Sequence, residues 1–263
     1  MDKHWTEKMF LEHGDLFFKF LKRGDEVAVQ QVEILEKTFS EMDVHPGGRI
    51  LDVCCGYGRH ALRLAEKGFI VTGIDLSPVV IEHANKLAKN MKIEDRVKFL
   101  VGDARKVFEL LEEDQGSFNA IINMWTSIGY YDDETDKNIL RQLNQLAASD
   151  CILVLDLANR DYLIKHFQRF GITDMGNCEL HEYRKLDLKR SHFDVIWKFY
   201  NKSGEKLNHI TTIPLSYRLY SLHEVINLIE KTGWQYVNSY GTLDLKPLTQ
   251  DTFRMMIVGK NRE

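Results

Sequence analysis

Gly56 and Gly58 stand one residue apart, directly after the apolar run Arg49-Ile50-Leu51-Asp52-Val53 and just before Ala61, where a helix face begins. Glycines at a strand-to-helix turn let a ligand approach the backbone, because no Cβ stands in the way. Gly56, Gly58 and Ala61 also satisfy G-x-G-x-x-G/A, a dinucleotide pattern, although a plain strand–helix turn has the same spacing. Asp75 closes the next apolar run, Val71-Thr72-Gly73-Ile74. A carboxylate there can accept from both hydroxyls of a ribose held over the glycine loop. It can equally be a helix-entry residue, since Ser77-Pro78 follows. Asp103, in Val101-Gly102-Asp103-Ala104, is placed to accept from an adenine amino group. After the fourth run comes an aromatic loop, Asn123-Met124-Trp125-Thr126-Ser127-Ile128-Gly129-Tyr130-Tyr131. The chemistry these positions share is the binding of a nucleoside-bearing ligand along one sheet edge.

The elements that must position them alternate. Strands are expected at 49–53, 69–74, 97–101, 120–124 and 152–157. The intervening helices are marked by Ala61, Leu62, Leu64 and Ala65, by Val80, Ala84, Leu87, Ala88 and Met91, and by Ile139, Leu140, Leu143, Leu146 and Ala147. Ser77 is expected to cap the second of these, with Pro78 at its first position. Such alternation implies βαβ units and a mostly parallel sheet. Ahead of them, residues 1–45 read as a helical cap: Ala28, Val32, Leu35, Phe39 and Met42 share a face, and Phe17, Phe18, Phe20 and Leu21 form a denser aromatic stretch. Residues 46–175 form the core. Residues 176–219 break the rhythm with a period-two stretch at 192–199 and a turn at Lys202-Ser203-Gly204-Glu205, which indicates an antiparallel β insert. In 220–263, Ser221 and Glu224 make a capping box, and two closing strands near 235–240 and 253–258 must run antiparallel, their link being too short for a crossover.

Composition narrows the class. With 39 acidic against 35 basic residues in 263, a formal charge of −4 is unlike the basic footprint of a nucleic-acid binder. The insert is locally basic, with seven Lys or Arg against three acids over 184–206, and reads as a solvated hairpin face. Cysteines at 54, 55, 151 and 178 have no metal-binding spacing, so no metal site is expected. The start, MDKHWTEKMF, lacks a secretory h-region, and no apolar run is long enough for a membrane span. A cytoplasmic protein with reduced thiols is expected.

The ordered set of features resembles a class I S-adenosylmethionine-dependent methyltransferase over roughly residues 48–260. More narrowly, it is similar to a small bacterial and archaeal group with D-x-x-C-G-x-G-R-H, T-S-hydrophobic-G-Y, L-D-L-A-N-R and R-L-Y-S/T-L. Those motifs are here Asp52–His60, Thr126–Tyr130, Leu155–Arg160 and Arg218–Leu222. The resemblance implies a Rossmann-like, seven-stranded, mostly parallel sheet with an antiparallel last strand. It implies Asp52, Cys54, Gly56 and Gly58 around the methionyl part of S-adenosyl-L-methionine and Asp75 on the ribose. Leu76 would lie against the adenine, with Asp103 and Ala104 at its edge, and Asn123 and Met124 would flank the sulfonium. Many members of the wider family have Gly where Cys54 stands.

A sulfonium methyl needs chiefly an in-line nucleophile and exclusion of water. A base is required only if the acceptor must first lose a proton. Candidates are Tyr130, Tyr131 and His60, with His4, His13 and Tyr240 behind them. Trp125, Tyr130 and Tyr131 can wall the sulfonium or simply pack the core. Arg160 and Arg218 are candidates for an anionic part of the substrate, or for ion pairs tying insert to core. The cap and insert are expected to form two sides of a pocket for a small-molecule acceptor, with the insert as lid or homodimer contact. Alternatives are RNA or protein methylation, a non-catalytic cofactor-binding partner subunit, an aminopropyl transferase and a nicotinamide dehydrogenase.

Overall fold

Apolar runs that do not alternate are strands buried on both faces, and a parallel sheet with helices on each side buries them so. The structure is a computed structural model and describes residues 3–241 and 245–262. An arm of α1 (Trp5–Glu7) and α2 (Gly14–Leu21) leads into α3 (Asp25–Glu41). The alternating core then runs β1 (Arg49–Val53), α4 (Arg59–Glu66), β2 (Ile70–Asp75), α5 (Pro78–Met91), β3 (Val97–Val101), α6 (Val107–Leu110), β4 (Phe118–Asn123), α7 (Asp133–Leu146), β5 (Ala147–Ala158) and α8 (Arg160–Lys165). Next come β6 (Phe170–Asp174), β7 (Cys178–Asp187), β8 (His192–Ser203) and β9 (Lys206–Arg218), and the chain closes with α9 (Leu222–Glu230), β10 (Trp234–Tyr240) and β11 (Arg254–Asn261).

The main sheet has seven strands in the order β10-β11-β5-β4-β1-β2-β3. β11 runs antiparallel to both β5 and β10, whereas β1 pairs in parallel with β2 and β4. The expected Rossmann-like arrangement is present. One face packs α3, α4 and α5 through residues such as Leu35, Phe39, Leu64 and Ala84. The other packs α7 and α9 through Ile139, Leu143, Ile229 and Trp234, whose indole N–H donates to the Leu140 carbonyl at 3.1 Å.

β6 to β9 form a separate antiparallel sheet in chain order. It starts at Phe170, earlier than the period-two pattern indicates, because β6 is too short to show alternation. Cys178, Leu180, Phe199 and Ile213 on its inner face pack against Met9, Phe10 and Leu16 of the arm. The arm is also pinned to β9: the Trp5 indole donates to the Ser216 carbonyl at 3.1 Å and Lys8 Nζ to the Thr212 carbonyl at 2.8 Å.

Two local expectations are corrected. β5 begins at Ala147 instead of 152, since α7 runs straight into it and the polar residues Ser149 and Asp150 hide its first half. Ser77 flanks α5 but makes no side-chain cap; its own N–H donates to Asp75 Oδ1 at 2.9 Å, and its hydroxyl is buried without a partner among the described residues. The Ser221 and Glu224 capping box is formed.

Gly58 has φ +78° and precedes α4, and a Cβ there would lie 2.4 Å from Cζ of Phe99. Gly58→Ala is therefore expected to cost about 2–4 kcal/mol through a left-handed backbone plus overpacking, read as a lower urea midpoint with an unchanged slope.

Candidate active site

The strand order reverses between β1 and β4, and open α/β sheets take ligands outside the carboxyl ends of strands at such a point. A crevice there spans about 1000 Å³ of atom-free space, counting the part open to solvent. The loop after β1 forms its floor. Cys54, Gly56 and Gly58 have φ of +61°, +58° and +78°, and these turns swing the chain from β1 into α4. Cys54 takes the left-handed conformation despite its Cβ, a local strain of about 1–2 kcal/mol.

Acidic and amide side chains edge the crevice in different states. Asp75 ends β2; its Oδ2 accepts from the Gly56 N–H at 2.9 Å and its Oδ1 from the Ser77 N–H. Each oxygen keeps a further lone pair. Burial pushes this carboxyl up to about 6 against those two N–H groups. Asp52, on the neighbouring strand, is 1% exposed, and neither oxygen has a hydrogen-bond partner among the described residues. Burial pushes it up to about 7, with Arg59 and the nearby Ala61 N–H opposing and Asp75 adding. Asn123 donates its Nδ2 to the Val53 carbonyl at 2.8 Å, which leaves its Oδ1 buried and unpaired. Asp103 is committed: Arg105 reaches it through Nε at 2.9 Å and Nη2 at 2.6 Å. Burial raises the Asp103 carboxyl, yet these bonds hold it below its ordinary value. Buried acceptors without donors are costly to maintain. The set fits a cationic ligand rich in N–H and O–H groups.

Arg59, the first residue of α4, is 4% exposed. Its guanidinium lies 3.8 Å from the Trp125 ring centre, and Nη1 donates to the Leu21 carbonyl at 3.1 Å. Burial lowers it to about 10, with Asp156, Asp52 and Asp25 opposing. Gly24 makes the stack possible, since a Cβ there would be 2.0 Å from Arg59 Nη1. Trp125 and Thr126 carry positive φ of +70° and +62°. Asp156 of β5 secures them: its carbonyl accepts from the Thr126 N–H at 2.9 Å and its Oδ2 from the Trp125 N–H at 3.2 Å, while Arg254 of β11 holds its Oδ1 at 2.8 Å.

The roof is the arm, through Phe10, Phe17, Phe20 and Leu21. Tyr130 meets Trp5 edge-on at 4.8 Å and Phe10 at 6.0 Å. Tyr131 stacks on His4 at 4.8 Å, lies under Arg105 at 4.6 Å and shares a hydrogen bond with Thr6 at 3.2 Å.

The crevice brings together Cys54, Gly56, Asp75 and Leu76, then Asp103, Ala104, Asn123 and Met124, and also His60, Trp125, Tyr130 and Tyr131. Asp52 and Gly58 are not among its lining residues; Gly58 instead serves the packing of Phe99. His60 is buried with Nε2 2.9 Å from Gln31 Oε1, and burial, with Arg59 and Arg63 adding, drives it well below its ordinary pKa. His4, His13 and Tyr240 do not line the crevice. Neither do Arg160 and Arg218, which converge on Glu224: Arg218 Nη2 donates to it at 2.6 Å and Arg160 Nη1 lies 3.5 Å away. Burial raises Glu224, but the Ser221 N–H and Arg218 hold it down at about 2. Nor does any residue of the insert line the crevice, because the arm lies between. Sequence reasoning left Arg59 without a role and, while making the cap one side of a pocket, did not single out Phe17, Phe20 and Leu21 as its lining. The signal was an aromatic density beyond what one buried helix face uses. Among the described residues no His, Cys, Asp or Glu cluster can hold a metal ion.

Residues 50–150 match a family described as Methyltransferase domain. A glycine/sarcosine N-methyltransferase of Parasynechococcus marenigrum (strain WH8102) is 27% identical over 201 residues, which are 75% of this chain and 66% of that protein. The chain spans only 31% and 33% of the length of two other curated relatives it matches. Among solved structures, an S-adenosylmethionine-dependent methyltransferase from Clostridium acetobutylicum ATCC 824 superposes with a TM-score of 0.79 at 14% identity, covering 94% of this chain and all (100%) of that one. An amino pentose methyltransferase of Micromonospora echinaspora, CalS10, gives 0.64 at 15% identity, covering 88% and 90%. At these identities the two structures speak to the fold.

Because Asp52 has its pKa raised on folding, its contribution to stability is fully present below its ordinary value and is lost as pH rises through about 7. Asp52→Asn removes that loss. The melting temperature of the ligand-free variant should equal that of wild type near pH 4 and exceed it increasingly towards pH 8; a difference independent of pH would contradict the raised value.

Proposed function

We propose that this chain is an S-adenosylmethionine-dependent methyltransferase (EC 2.1.1.-) acting on a small-molecule acceptor. The observation that carries the reading is the pair of buried, unpaired or half-used acceptors at Asp75 and Asn123 that line the crevice beside a glycine turn at the switch point. The family match over residues 50–150 supports it, as do relatives whose names specify glycine, sarcosine or an amino pentose. When bound, the cofactor supplies a methyl group already activated by a sulfonium.

What the chain's own residues do follows from their states. Asp75, anchored by two N–H groups, takes the ribose hydroxyls with its remaining lone pairs. The Asn123 Oδ1 takes a donor of the amino-acid end, with the Asp52 carboxyl behind the crevice wall. Leu76 and Ala104 flank the adenine, and Asp103, oriented by Arg105, faces its amino group. The carboxylates favour a cationic cofactor over its neutral spent form, which aids exchange after transfer. The roof excludes water from the reacting atoms. A crevice roofed by aromatic rings and with no insert residue in its lining supports a small acceptor over RNA or a protein surface. The insert serves as the platform for the arm. Four free thiols support a reducing, cytoplasmic setting.

Calorimetry on the purified chain should detect S-adenosylmethionine. Asp75→Ala should weaken it by roughly 10–100-fold, as expected for losing charged hydrogen bonds of about 1.5–3 kcal/mol. Wild-type protein that binds no cofactor, or binds a dinucleotide instead, would refute the assignment.

A further inference from the structure

Under the roof the crevice has a one-sided chemistry. Phe10 and Phe17, 4.6 Å apart, and Tyr130 wall it with ring surface. The other rings of the lining are engaged elsewhere, Trp125 by Arg59, Tyr131 by His4 and Arg105, Phe20 by Trp197 and Tyr57 by Phe18. Lysine is absent from the lining, and the guanidinium that does line it, Arg59, stands at the start of α4 beside the glycine turn. Arg105 is spent on Asp103, and Arg160 and Arg218 on Glu224. A carboxylate or phosphate seated under the roof would enter without a counter-charge, and a sugar would leave hydroxyls facing phenyl rings. An apolar body loses nothing there.

The second observation concerns proton transfer. Burial pushes Tyr130 and Tyr131 up, and His60, neutral, is paired with Gln31. None of these can take a proton from a hydroxyl near neutral pH. An amine needs no such help from the protein, because the fraction left unprotonated in water already carries the lone pair that attacks.

Resting on the methyltransferase reading above, we infer that the acceptor is an amine carried on an aromatic or alkyl body, seated against Phe10, Phe17 and Tyr130. The nitrogen lone pair forms the new N–C bond, the cofactor's S–C bond breaks with its electron pair left on sulfur, and the proton of the resulting ammonium passes to water. Glycine and sarcosine, the substrates in the name of one relative, are poor fits to this chamber because their carboxylate finds no partner under the roof.

The test has two stages on the full chain. Calorimetry with S-adenosylmethionine comes first, and absence of binding removes the parent reading. With binding established, labelled methyl transfer is measured to benzylamine, 2-phenylethylamine and tryptamine, to 2-phenylethanol as the hydroxyl counterpart, and to glycine and sarcosine. The best arylalkylamine should exceed the alcohol and both amino acids by at least roughly tenfold in kcat/KM. Phe17→Ala should raise its KM by roughly tenfold while cofactor affinity stays unchanged, and Phe17→Leu, which keeps apolar bulk, should raise it less. Transfer to glycine, sarcosine or the alcohol at the amines' rate, transfer to no amine while cofactor binds, or an unaltered KM in Phe17→Ala overturns the inference.

Discussion

Burying carboxylates is the constraint around which this molecule is organised. Asp52 and Asp75 end up buried on neighbouring strands towards the carboxyl edge of the sheet, with Asp52 opposite Gly73 and Asp75 two residues beyond it. Neither is neutralised by a cation at ion-pair distance among the described residues, and burial raises both. A fold optimised for stability alone would fill these positions with Val or Ile. Keeping acids there costs free energy in the empty protein, and a donor-rich cation recovers it. The sheet must then be rigid enough to stop the acids from turning to solvent. That rigidity comes from helices packed on both faces and from β11, which locks β5 by pairing along its length.

The same logic explains the crowding behind the loop that follows β4. Two consecutive non-glycine residues in left-handed backbone conformations persist only where their surroundings over-determine them. Here Asp156 and Arg254 fix the peptide groups, and Arg59 fixes the indole. Arg59 in turn is accommodated only because residue 24 has no side chain. The D-x-x-C-G-x-G-R-H stretch therefore acts at two levels: its glycines and Cys54 shape the floor, and its arginine braces the wall opposite.

Sequence alone revealed the parts of this arrangement that depend on main-chain rhythm. Strand ends, the turn at 54–58 and the acids at 75 and 103 follow from apolar runs and where they stop. What stayed hidden depends on side chains choosing between partners. Asp103 and Arg105 are two residues apart, yet nothing in their spacing says that they bond to each other. Arg160 and Arg218 were readable as substrate anchors or as ion pairs, and Glu224, already marked as a capping residue, draws both out of the crevice. Ser77 has the residue type of a cap, but its hydroxyl bonds no helix N–H, while its own N–H donates to Asp75. The phenylalanines at 17 and 20 carry a helix-like signal whether they face a core or a cavity. Periodicity reports burial; it is silent on whether the burying surface is protein or ligand.

The arm has a consequence for how such a molecule changes over generations. Residues 10–21 contribute the ceiling yet pair with no strand of the main sheet, so their side chains are unconstrained by its register. Replacing a phenyl ring at 10, 17 or 20 reshapes one wall of the crevice and changes no residue of its floor. The form of that wall can therefore vary at a few positions without any change in the strands beneath it.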